Sequence, residues 1–164
     1  YAIFTKEPGG TPLGIKLRNI ALDGEAKSKV AEMFLFMADR AEHIEEVIKK
    51  NKNDTIISDR SMISGIAYAS ALSIDELINL NLIATNNTLP THVILLELTP
   101  HELKFRLSQK ENDSIELRGI DYLINIQNRM KETIKRLNIN HIIIDASLKI
   151  EEIEKKIEDF INGE

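Results

Sequence analysis

Short apolar runs alternate along this chain with longer segments of helical period. Residues 1–4, 55–58, 93–96 and 141–144 form runs mostly rich in Ile and Val with little polar alternation, the pattern of buried strands. Amphipathic stretches lie between them. Over 27–50, Val30, Met33, Phe34, Met37, Ala41, Ile44, Val47 and Ile48 recur at three- and four-residue spacings, and 120–137 and 150–161 are also helical by period. Helix starts are marked too. Thr11 precedes Pro12, Ser73 stands three before Glu76, and Thr99-Pro100-His101-Glu102 has the capping-box spacing with Pro at the first helical position. The alternation predicts βαβ units, hence an α/β fold with a mainly parallel sheet covered by helices on both faces. No repeat, linker or low-complexity tract interrupts it. Residues 110–119, polar, charged and weakly periodic, are the best candidate for a mobile segment.

Composition narrows the function. At 164 residues, 43% apolar and 29% charged, the chain has the size and balance of one globular domain with a full core. A net charge of −5 argues against broad binding to nucleic acid or a membrane surface, while leaving room for a local basic pocket. Without cysteine there is no disulfide, no thiol nucleophile and no Cys-ligated metal. No apolar run is long enough to span a bilayer and no signal peptide is visible, so a cytoplasmic protein is expected. The chain begins at Tyr1, inside an apolar run, which predicts that it is the remainder of a longer polypeptide.

Two of the predicted strands end in polar clusters, and in open α/β sheets ligands bind at the carboxyl ends of strands. The first cluster is Glu7-Pro8-Gly9-Gly10-Thr11-Pro12-Leu13-Gly14. Pro8 fixes a backbone angle, Gly9-Gly10 permits a close turn, and Thr11 can cap the next helix. A tight strand-to-helix turn and a ligand site fit that spacing equally. Arg18, one to two turns into the helix, can face the same cleft or solvent. The second cluster is Asp59-Arg60-Ser61. Arg suits bidentate phosphate contact, and Asp suits holding magnesium through water or orienting an Arg. The alternative is a structural Asp–Arg ion pair. Phe36 and Arg40 share a helix face, where they can stack and hydrogen-bond a base, or serve as a core Phe and a surface Arg. Arg106, Lys110 and Arg118 surround the polar segment and can close over phosphates as a lid, or form a solvated charged loop. No G-x-x-x-x-G-K-[ST] phosphate loop occurs in these residues.

Taken together and in order, these segments resemble the thymidylate kinase family. T-K-E-P-G-G-T-P-L-G is similar to the family's T-R-E-P-G-G-T-x-L-G, L-F-M-A-D-R-A to its L-F-x-A-x-R helix motif, and S-D-R-S-M-I-S-G-I-A-Y to its D-R-[YFH]-x-x-S-x-x-A-Y block. D-S-I-E stands where the family often has D-R-x-E in its lid. The resemblance implies an α/β fold of the P-loop NTPase type, a parallel sheet with helices on both faces as in nucleoside monophosphate kinases, with the first central strand absent from this chain. It implies one kinase domain over 1–164, incomplete at its N-terminus, with a lid around 106–119. Roughly two to three dozen upstream residues would supply the missing strand, loop and helix.

The implied reaction is phosphoryl transfer from ATP with Mg²⁺ to dTMP, giving dTDP, in a homodimer that binds no nucleic acid and no membrane. The chain alone is expected to be inactive. Carried over from the family, Phe36 would stack on thymine and Arg40 would bond its edge. Arg18 and Arg60 would hold the dTMP phosphate, with Glu7 near the deoxyribose and phosphates. Ser64 and Tyr68 would line the nucleoside pocket. Asp59 would help organise the magnesium and phosphate region through water, with no direct protein ligand to the metal. Asp59, Arg60 and Arg118 form the implied catalytic set, and Arg106, Lys110 and Arg118 the lid. The chain departs from the family at Lys6, Ser61, Ala69 and Ser114, the last standing where a lid Arg is usual, which leaves Arg118 to supply that charge. Two rivals remain open at this stage: a deoxynucleoside kinase of related fold, and an inactive nucleotide-binding or scaffold protein that lacks a P-loop. An acceptor hydroxyl would call for a carboxylate base, whereas the Arg18 and Arg60 pair favours an acceptor phosphate.

Overall fold

The computed structural model describes residues 2–109 and 116–163, with the backbone alone for Leu117. They form two compact units, Tyr1–Leu89 and Pro90–Glu164.

In the first unit, β1 (Ala2–Lys6) pairs parallel with β2 (Thr55–Asp59), Phe4 opposite Ile57 and Lys6 opposite Asp59. Both strands run past the apolar residues that announce them, because the backbone ladder pairs Lys6 and Asp59 as readily as Ile3 and Ile56. The ladder continues one step further, from the Glu7 N–H to the Asp59 carbonyl at 3.0 Å. Helix α1 (Pro12–Leu22) starts as its sequence predicts, with the Thr11 hydroxyl accepting the Gly14 N–H at 2.9 Å and Pro12 in the first turn. It packs against α2 (Lys29–His43), whose buried stripe includes Met33 and Met37. The single helix expected over 27–50 divides here. At Ile44–Ile48 the backbone widens to a π turn, with the Lys49 N–H bonded to the Ile44 carbonyl at 2.9 Å. Apolar spacing stays close to helical across one wide turn, so periodicity cannot reveal it. Two further helices, α3 (Met62–Tyr68) and α4 (Ile74–Ala84), pack together and bury Ile66 and Leu77 completely. The Ser73 and Glu76 capping box is complete in both directions.

In the second unit, β3 (His92–Glu97) pairs parallel with β4 (Asn140–Asp145). Helix α5 (Pro100–Leu107) has its Thr99 cap. Helix α6 (Ile120–Leu137) matches its predicted bounds, and α7 (Ile150–Asn162) packs on β4. The Gln127 amide accepts the Leu98 N–H and donates to the Leu98 carbonyl, satisfying the backbone just beyond β3.

The strands are parallel, as expected of the α/β class. Some of their apolar side chains are exposed among the described residues. Phe4 is 77% exposed and Ile57 48%, and Leu96 and Ile143 are also exposed. In the first unit a bond between Thr5 and His43 ties the opposite face of β1 to α2. An apolar run records that side chains avoid water; it does not record how many faces a helix covers.

Candidate active site

Glu7 leaves the carboxyl end of β1 and turns inward, where its carboxylate is buried between Arg40 and His43 of α2. Oε2 accepts Arg40 Nε–H at 2.8 Å, and Oε1 lies 2.9 Å from His43 Nδ1. A carboxylate can only accept, so Nδ1 carries the hydrogen. The other ring nitrogen, Nε2, meets the Thr5 hydroxyl at 2.7 Å. Arg40 Nη1 donates to Asn81 Oδ1 at 2.6 Å. Arg40, His43 and Asn81 are all 5% exposed or less. This is not the surface Arg that the sequence allows as an alternative. Strand β1, helix α2 and helix α4 are thus joined by one buried polar network.

Asp39 sits beside it, 1% exposed. Its Oδ1 accepts the Gly9 N–H at 2.9 Å and so pins the turn after β1. Oδ2 has no hydrogen-bond partner among the described residues. Burial pushes this carboxyl above its ordinary value. The Gly9 bond opposes the rise, the Glu7 charge adds to it, and Arg40 and His43 oppose it more weakly. The turn itself needs Gly10, because a Cβ there would stand 2.6 Å from the Lys6 carbonyl oxygen and 2.7 Å from His43 Cδ2.

The end of β2 is built differently. Asp59 and Arg60 are both exposed, and no ion pair joins them among the described residues. The structural pair that the sequence admits is therefore not formed. Arg60 takes a left-handed backbone, φ +69°, held by the Ser58 hydroxyl donating to its carbonyl at 2.8 Å. Its guanidinium lies 5.5 Å from the centroid of the Tyr68 ring. Tyr68 ends α3 half-buried, and Ser64, one turn earlier, donates its hydroxyl to the Ser61 carbonyl at 3.2 Å. Arg18 is exposed on α1, with its stem against Gly9. Phe36 is half-buried, one turn before Arg40 on α2.

The remaining candidates lie in the second unit. Arg106 donates to the Ala146 carbonyl at 2.6 Å and pairs with Glu102. Arg118 bonds the Tyr122 hydroxyl at 3.1 Å, its guanidinium 5.1 Å from that ring's centroid. Lys110 and Ser114 fall outside the described residues, as does most of the predicted mobile segment.

Sequence reasoning missed Thr5, Asp39, His43 and Asn81. A signal exists for three of them. Asp39 and His43 follow Phe36 at helical spacings on α2, and Asn81 interrupts the stripe of Ile74, Leu77 and Ile78 on α4. A polar residue on an apolar stripe asks for a buried partner.

Among the described residues no helix is long and apolar enough to cross a membrane, and no group of three or more His, Cys, Asp or Glu side chains could hold a metal ion. A family model described as thymidylate kinase matches residues 1–157. The thymidylate kinase of Aliarcobacter butzleri is 81% identical over 161 residues, 98% of this chain and 85% of the relative. That of Wolinella succinogenes is 54% identical over 95% of this chain and 82% of the relative, and that of Sulfurimonas denitrificans 49% identical over 98% and 86%.

Proposed function

This chain belongs to the thymidylate kinase family, and we propose that it transfers the γ-phosphoryl group of ATP to the phosphate of dTMP, giving dTDP and ADP. Within the structure, the observation that carries the reading is Arg60: an exposed guanidinium, unpaired with its acidic neighbour, at the carboxyl end of a parallel strand. In the transfer, an oxygen of the dTMP phosphate bonds to the γ-phosphorus and the bond to the β,γ-bridging oxygen breaks. The acceptor is already an anion at neutral pH, so no general base is needed. The enzyme's task is to position two anions and lower their repulsion. Arg60 and Arg18 hold the acceptor phosphate, Arg60 with the Tyr68 ring beneath it. Phe36 stacks on thymine, the Arg40 edge left free by Glu7 and Asn81 reads the base, and Ser64 and Tyr68 line the nucleoside pocket. Glu7 acts from underneath, by holding Arg40.

Magnesium fits one residue here. Asp59 presents an exposed carboxylate at the strand end with no side-chain partner among the described residues. One such carboxylate acting through water is enough, because Mg²⁺ takes most of its other ligands from water and phosphate. When bound, the ion would supply charge neutralisation on the phosphates.

Calorimetric titration tests the acceptor. The full protein should bind dTMP, with dUMP weaker by about 1–3 kcal/mol for want of one methyl contact, and AMP weaker still. Equal affinity for AMP would overturn the assignment.

We also propose a homodimer. Val30 and Phe34, four apart on α2, are exposed apolar residues, and α1 beside it exposes Leu13 and Ile20. A second copy would cover such a patch. Sedimentation at micromolar concentration should give twice the chain mass, and a monomer would rule this out.

A further inference from the structure

Asn81 occupies a position where its helix calls for an apolar side chain. It continues the stripe of Ile74, Leu77 and Ile78 on α4 and is 1% exposed. A buried amide is costly unless both ends are bonded. Here both are. Nδ2 donates to the Leu77 carbonyl at 2.7 Å, and Oδ1 accepts from Arg40 Nη1 at 2.6 Å. Turning the amide over would set its two N–H donors against the donors of a guanidinium, so the network leaves it one orientation. On the other side of Arg40, Glu7 Oε2 holds Nε at 2.8 Å. Two bonds from two different elements fix the guanidinium plane. Nη2 is left over and makes no hydrogen bond among the described residues. It lies against residue 65, where a Cβ would stand 2.5 Å from it, so only glycine leaves it room.

We propose that Asn81 is a positioning residue that aims Arg40 Nη2 and thereby sets the choice of acceptor base. The inference rests on the reading of Arg40 as the residue that contacts the base. A fixed N–H donor rewards a carbonyl oxygen on the base edge and penalises an amino group in the same place. A loosened guanidinium can turn away from the amino group, so discrimination relaxes as affinity falls. Asn carries this role without adding a third carboxylate to a cluster that already holds Glu7 and Asp39.

A double-mutant cycle tests it by titrating the full protein with dTMP and dCMP. Asn81→Leu should weaken dTMP binding about tenfold, the size of one hydrogen bond to a charged group, and narrow the gap between dTMP and dCMP. In an Arg40→Ala background the same change should cost less than about twofold, because Asn81 acts only through Arg40. Turnover at saturating dTMP should change less than binding. A tenfold loss in both backgrounds, or no loss from Asn81→Leu alone, overturns the proposal while leaving the base-reading role of Arg40 intact. If Arg40→Ala itself binds dTMP normally, the reading of Arg40 fails and the inference fails with it. Asn81→Ser, smaller and polar, gives the same comparisons should the leucine variant not fold.

Discussion

Replacing Arg60 with alanine should lower kcat/KM for dTMP by about 10²–10³, the usual cost of removing one placed donor from a site where charge is transferred, and leave the melting temperature nearly unchanged. The two effects separate because Arg60 contributes little to the fold. Its side chain is exposed and forms no ion pair with Asp59, and its contact is the face of Tyr68 at 5.5 Å. Its backbone is a cost: φ +69° disfavours any residue with a Cβ by about 1–2 kcal/mol. Arg60→Gly should therefore raise the melting temperature by a few degrees while losing as much activity as the alanine variant. Arg60→Lys should recover only part, since a point charge cannot make the bidentate contact that a guanidinium makes with phosphate. Steady-state kinetics and thermal melting on the same preparations decide the matter. Near-normal turnover together with a large fall in melting temperature would remove Arg60 from the site. The left-handed backbone is itself informative, because a charged residue held there against its preference marks a place where position matters more than stability.

That contrast between a strained surface residue and a satisfied buried one shows what a sequence carries. The strands of both units lie within one or two residues of their apolar runs, and α6 keeps its bounds, because burial and helical period are written locally. The Ser73 box is local too, and it is present in both directions. The seven residues of α3 are too few to show a period, and its block carries chemistry and helix together. The π turn hides for a related reason, since its stripe nearly keeps step. The site divides along the same line. Glu7, Phe36, Arg40 and Arg60 stand out by motif and by place at a strand end or on a helix face. That both Glu7 oxygens are engaged, by Arg40 and by His43, depends on residues 33 and 36 positions away. Nothing within either segment announces the pairing. Only the intrusion of polar residues into apolar stripes hints that partners exist.

Glu7 should then be the residue whose loss harms the fold most. Glu7→Leu removes one carboxylate but leaves Arg40 and the Nδ1 hydrogen of His43 buried without their acceptor. Breaking a buried pair from one side costs about 3–5 kcal/mol, because the remaining charge has no water to turn to. For a chain of this size that is a drop of roughly 6–20 °C in melting temperature. Glu7→Gln, which keeps one acceptor oxygen and loses the charge, should fall between. The sharper test removes the stranded cation. Adding Arg40→Met to Glu7→Leu exchanges an ion pair for apolar groups of similar volume, and such exchanges are often neutral or better. The double variant should regain most of the lost stability and still fail to bind dTMP tightly, since the guanidinium proposed to read the base is gone. Chemical denaturation and titration of the four proteins separate the two roles. Should Glu7→Leu unfold within about 1 kcal/mol of the parent, the pair would be solvated rather than buried, and the account of Glu7 as the support beneath Arg40 would fall. Should the double variant bind dTMP as well as the parent, the network would be a core device alone, and the base would be read by other residues.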